Sequence, residues 1–179
     1  VVLPAMELTT SEDIHVLCLF EKYEDLQKLE EHISRTRLRV KNKPHIFGHQ
    51  RILDENDELV GEEEDLLIVS SGVSVQEVAA LVAGFGGIAV PAHIDKHANS
   101  VIAVLGEFDY GLGFTLVECA KEGVVPLPRI CDSDAHYLWD ISEAEHFIEA
   151  DTCSAHGVME ALRKMSSHVP RRADACGTS

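Results

Sequence analysis

Basic residues are scarce in this sequence: 15 Lys and Arg stand against 31 Asp and Glu, a formal net charge of −16 over 179 residues. That imbalance argues against non-specific binding to nucleic acid or to an anionic membrane, because the far field of the chain repels polyanions. An anionic substrate stays open, since bound cations reverse the potential inside a cleft. Cysteine pairing motifs are missing as well. The five cysteines (Cys18, Cys119, Cys131, Cys153 and Cys176) are odd in number and form no CxxC pair, the pattern of buried or free thiols in a reducing cytosol. No long apolar run is present either. The most apolar stretch, residues 75–90, is broken by Gly84, Gly86 and Gly87 and followed by Pro91, which reads as a buried helix, a turn and a strand instead of a membrane span. The opening "VVLPAMELTT" has no basic region and lacks the length of a secretory leader, so a cytoplasmic protein is expected. It starts on Val1 instead of Met and directly on a strand-like run, so the natural beginning is expected to lie upstream. Walker-type loop, dinucleotide fingerprint, internal repeat and low-complexity linker are all absent.

What is present is a core-forming chain. With 45% hydrophobic and 26% charged residues, the sequence is too apolar for disorder and long enough for one domain. "VVLPAMEL" and "IHVLCLF" are short apolar, β-branched runs parted by polar residues, and they predict two strands. Leu26, Leu29 and Ile33 recur at helical spacing, predicting an amphipathic helix over about residues 23–34. In "QRILDENDELVGEE" a polar turn at residues 54–57 separates two apolar stretches, the signature of a surface hairpin. Ser74 and Glu77 form a capping box before Val75, Val78, Ala79 and Val82, with Gly84 placed to end the helix. "GIAVPAH", "FTLVECA" and "LPRIC" are further strand candidates, and Val158, Ala161, Leu162 and Met165 mark a last helix that starts after Ser154. A polar tail then occupies residues 166–179. Alternating strands and helices predict an α/β fold on mostly parallel strands.

In such folds the working residues sit at the carboxyl ends of strands. Four segments put metal-binding side chains at or next to a strand. Glu7 is placed to end the first, His15 lies in the second, His93 follows "GIAVPA", and Asp134 and His136 follow "LPRIC". Two carboxylates and three imidazoles are the O and N donors that bind divalent transition metals. Each has an ordinary reading too: "DSDAH" also suits a turn, and one histidine is more often a core or loop residue. Their repetition at one kind of place is the stronger signal. Asp132 receives no metal in this reading, His97 is a surface residue, and His45 and His49 are structural.

These segments resemble a known family. "PAMELTTSEDIHVLCLF", "AVPAHIDKHANS" and "ICDSDAHYLWDIS" are similar to the later motifs of the PHP domain, named for polymerase and histidinol phosphatase, and the resemblance runs from Pro4 to about His146. It implies a distorted (β/α)7 TIM-like barrel over residues 1–165, with up to three metal ions (zinc, manganese or iron) at the carboxyl ends of the strands. It further implies a metal-dependent phosphoesterase in which Glu7 bridges ions, His15, His93, Asp134 and His136 ligate, and Asp134 doubles as proton acceptor. The family's opening motifs, "DLHxHS" and "TDHN", do not occur in this chain, and Ala5 stands where members tend to have Gly. The barrel is therefore expected to be incomplete at its N-terminus, with an exposed sheet edge that permits self-association. The acidic exterior favours a small phosphorylated substrate over long nucleic acid. Two other readings are a truncated or degenerate PHP domain that binds without turnover, and an interaction module whose histidines are structural.

Overall fold

A computed structural model describes residues 1–167. Its strands are, in chain order, β1 (Ala5–Thr9), β2 (His15–Leu19), β3 (Arg51–Leu53), β4 (Leu59–Glu62), β5 (Ile88–Pro91), β6 (Val117–Glu118) and β7 (Arg129–Ile130). Its helices are α1 (Tyr23–Thr36), α2 (Pro44–Phe47), α3 (Val75–Gly84), α4 (Val101–Leu105) and α5 (Ala155–Ser167). The centre is a three-stranded sheet in the order β1-β2-β5, antiparallel throughout. β3 and β4 form the expected exposed hairpin, closed by the Asp54 carboxylate, which accepts the backbone N–H groups of Asn56 at 2.8 Å and Glu58 at 3.0 Å.

Alternation along the central strands divides the core in two. Leu8, Val16, Cys18 and Phe20 face one side and are buried with Leu29 and Ile33 of α1 and Val75, Val78 and Val82 of α3. Leu19 and Val90 face the other side, where Leu116 and the α5 residues Met159 and Leu162 cover them. Phe20, Leu29, Met159 and Leu162 are each almost wholly withdrawn from water, and burial at that level contributes about 1.5–3 kcal/mol per side chain. Helices α1 and α3 carry favourable ends. Glu24 and Asp25 sit in the first turn of α1 and Arg35 in its last, which suits the helix dipole. At α3 the Ser74 hydroxyl donates to Glu77 at 2.7 Å, and the Glu12 carboxylate accepts the N–H of Val75 at 2.9 Å.

The expected (β/α)7 barrel is not there. A barrel needs parallel strands joined by crossovers of a dozen or more residues, but β1 and β2 are joined by residues 10–14 alone. Within that turn Thr10 N–H donates to the Ile14 carbonyl at 2.8 Å, the Thr10 hydroxyl accepts the Ile14 N–H at 3.2 Å, and Asp13 takes a left-handed φ of 63°. β5 then adds antiparallel to β2. Among the described residues the single parallel ladder is β6 with β7, two residues each, so the expected strands "FTLVECA" and "LPRIC" shrink to their centres. β1 begins only after Pro4, and its outer side has no strand beside it among the described residues. The last helix runs to Ser167, past the expected start of the polar tail; Cys176 and the rest of that tail lie outside the described residues. Cys18, Cys119, Cys131 and Cys153 are free thiols, and burial pushes Cys18 up to about 12.

Candidate metal site

The antiparallel sheet still creates one working edge. β1 and β5 end where β2 begins, so His15, the first residue of β2, lies beside the finishing ends of both neighbours. Glu7 is mid-strand in β1 instead of at its end. It pairs with Leu17, while Thr9 pairs with His15, which sets Glu7 and His15 on the same face as diagonal neighbours, within reach for long side chains. His93 reaches that face by a different device. Ile88 and Val90 of β5 point toward it, so strict alternation would turn His93 away. At His93 the backbone instead adopts φ 32°, a conformation that costs a non-glycine residue about 1–3 kcal/mol. The ring is thereby re-aimed toward Glu7 and His15.

The three side chains converge on one point. His15 Nδ1 lies 3.1 Å from Glu7 Oε1 and 3.2 Å from His93 Nε2, and His93 Nε2 lies 3.5 Å from the same Glu7 oxygen. Hydrogen bonds satisfy two of the three contacts at most: one ring N–H can point between the other two atoms, which leaves the third contact between lone pairs. Two ring nitrogens carry at most two protons at these positions, and then the nitrogen–nitrogen contact sets two N–H groups against each other. A cation satisfies all three lone pairs at once. The circle through three atoms so spaced has a radius of about 1.9 Å, slightly less than the ~2.0–2.2 Å of zinc–nitrogen and zinc–oxygen bonds, so the triangle matches one face of a coordination polyhedron. Glu7, His15 and His93 are therefore a group that could hold a metal ion.

Burial and charge agree with that geometry. His93 is only 6% exposed, and its hydrogen bond with Glu7 holds the imidazole above its ordinary pKa and the carboxyl below the usual range. The carboxylate that would attract a cation thus also favours a proton on His93. The His93 Nδ1 atom is buried without a hydrogen-bond partner among the described residues. The tautomer that frees Nε2 for a metal places an N–H there, which lowers the affinity the site can reach.

The remaining expected ligands do not join the triangle. Asp134 sits at the rim, where its carboxylate forms an ion pair with Lys96. Partial burial works against its charge, but the Lys96 ammonium holds Asp134 below the usual carboxylate range. His136 is exposed, and its Nδ1 lies 2.9 Å from the Asp134 carbonyl oxygen. An extended segment would turn Asp134 and His136 to one face, since they are two residues apart. Asp134 instead has φ 44°, which ends the alternation, and Asp132 holds that turn by accepting the Asp134 N–H at 2.9 Å. His97 is exposed as expected, and His49 pairs with Glu62 at 2.9 Å.

One residue of the site went unread in the sequence. Glu118 of β6 is 8% exposed and accepts the His93 N–H through Oε2 at 3.0 Å. Burial, then the nearby charge of Asp132, pushes it up to about 7. Its signal was a lone acid inside "FTLVECA", since a charged residue in an apolar strand is rarely buried without a partner. No helix among the described residues is long and apolar enough to cross a membrane. Compared with known proteins, the chain matches no family model, no curated protein and no solved structure.

Proposed function

We propose that Glu7, His15 and His93 bind a divalent transition-metal ion and that this ion serves the hydrolysis of a small phosphate ester. The observation that carries the reading is the triangle of donors at 3.1, 3.2 and 3.5 Å, which a single shared proton satisfies only in part and a cation would satisfy at all three atoms. Its two nitrogens and one carboxylate oxygen favour zinc, manganese or iron over calcium or magnesium. Bound there, such an ion would lower the pKa of a water and draw charge from a phosphoryl oxygen. Glu7 supplies the negative charge that holds the cation, and the rings of His15 and His93 orient it. Asp134 at the rim is the proton acceptor in this reading, and Lys96 beside it supplies a positive charge to an anionic ester. The motif-level resemblance to PHP phosphoesterases supports the choice of substrate class, and the net charge of −16 favours a small ester over a polyanion.

A second reading, metal binding without turnover, is favoured by one feature: of the five expected ligands, only three gather. One experiment separates the two. Purified protein is loaded with zinc or manganese, its metal content is measured, and release of phosphate from an aryl phosphate is followed with and without chelator. Stoichiometric metal with chelator-sensitive hydrolysis supports the first reading, and stoichiometric metal without hydrolysis supports the second. Protein that retains no metal removes both.

A further inference from the structure

His93 departs from the strand path at the very residue that must face the other two donors. Its conformation is held from outside β5 chiefly by one residue, beside a turn bond from the Lys96 N–H to the His93 carbonyl at 2.9 Å. The Glu118 carboxylate accepts the His93 N–H at 3.0 Å, and the Glu118 main-chain carbonyl accepts the Ile94 N–H at 3.0 Å. These two amides belong to the peptide planes on either side of the His93 α-carbon. Fixing both planes fixes φ and ψ between them. Glu118 is itself held rigidly, because β6 pairs with β7 and the Cys119 N–H donates to the Ile130 carbonyl at 3.1 Å.

We infer that Glu118 is a positioning residue for the metal site: its buried carboxylate clamps the backbone of His93 in the left-handed conformation that aims the imidazole at Glu7 and His15. The inference rests on the metal-binding reading above for its consequence, but the clamp itself is a property of the metal-free protein. What the clamp requires is an acceptor oxygen at the end of a side chain of this length. Negative charge is not required. Glu118→Gln keeps reach and acceptor while losing charge; Glu118→Asp keeps charge while losing one methylene of reach. The two variants therefore separate positioning from electrostatics.

The test uses the whole chain with two readouts. Zinc affinity is measured by competition with a chromophoric chelator, and exchange of the His93 amide proton is followed by NMR in metal-free protein. Positioning predicts that Glu118→Gln stays close to wild type in both, whereas Glu118→Asp and Glu118→Ala lose affinity by about 10–100-fold, the range seen when a residue supporting a ligand is removed, and exchange the His93 amide faster. Zinc affinity kept in Glu118→Asp but lost in Glu118→Gln would overturn the inference in favour of charge. Unchanged His93 exchange in Glu118→Asp would overturn it outright. Should Glu118→Ala fail to fold, the Gln and Asp pair still decides. If wild-type protein binds no zinc, the metal reading fails by itself, and the exchange pattern continues to test the clamp.

Discussion

The Nδ1 atom of His15 and the Nε2 atom of His93 lie 3.2 Å apart although 78 residues separate them in the chain. Each nitrogen also faces the Glu7 carboxylate. Removing either ring leaves two donors. We expect His15→Ala and His93→Ala each to weaken zinc binding by at least about 100-fold, in keeping with the loss of a direct ligand. His97→Ala, four residues along and exposed, should bind as wild type does. Calorimetric titration of the three variants side by side checks this; equal loss in all three would mean that zinc binds elsewhere.

The pairing of Lys96 with Asp134 sets a second expectation. An ammonium beside a cation site repels the incoming ion and occupies a carboxylate that would otherwise face it. Lys96→Met should therefore raise zinc affinity, by about three- to tenfold on a screened Coulomb argument, while lowering any affinity for phosphate. Asp134→Ala should move zinc binding the opposite way. An unchanged zinc affinity in Lys96→Met would show that Asp134 takes no part in holding the ion.

The sequence made the donors legible but not the scaffold that joins them. Glu7, His15 and His93 were readable because two histidines and an acid each accompanied a short apolar run, and strand periodicity does place such residues near a sheet. The barrel expectation fails because alternation of strands and helices does not report strand direction. The decisive fact is the short turn from Thr10 to Ile14, whose length alone forces β1 and β2 antiparallel. His136 was misplaced for a local reason: two-residue alternation holds only in extended backbone, and the positive φ of Asp134 has no certain mark in the residue type. Glu118 was hidden because its role is to hold main-chain amides of a distant segment, which no spacing within its own strand reveals.

Acid should release the metal. Each histidine must lose its proton before its nitrogen can ligate, and the hydrogen bond to Glu7 makes His93 hold its proton more tightly than an ordinary histidine. Glu7, held below the usual carboxylate range by that same contact, is already ionised near neutrality. Affinity therefore falls as pH drops through the raised range of His93, by about tenfold per pH unit for every proton the metal displaces. It levels off at higher pH, where the His93 ring is neutral. Zinc affinities measured between pH 5.5 and 8 would show this slope, and a flat profile would take the histidines out of the ligand set.

The last expectation concerns the core under the far end of the central sheet. Gly87, just ahead of β5, has no room for a side chain: a Cβ there would fall 2.6 and 2.7 Å from two ring carbons of Phe20 and 2.8 Å from a methyl of Val82. Phe20 and Val82 are both fully buried, so neither can swing into solvent to relieve the contact. The backbone of Gly87 does not lie in the left-handed region, so any cost of substitution is steric. Gly87→Ala should then destabilise by about 1–3 kcal/mol, the usual range for an overpacked core, which for a chain of this size lowers Tm by roughly 2–4 °C per kcal/mol. Gly84 makes the contrast. It is the last residue of α3, and a Cβ there would meet nothing within 4 Å, so Gly84→Ala should stabilise by up to about 1 kcal/mol through helix propensity alone. Thermal melts followed by circular dichroism decide between them. Opposite shifts of the two variants support the packing of Phe20 under the sheet that carries His15, whereas a Gly87→Ala protein that melts with wild type would mean that β2 and β5 are not joined through that contact.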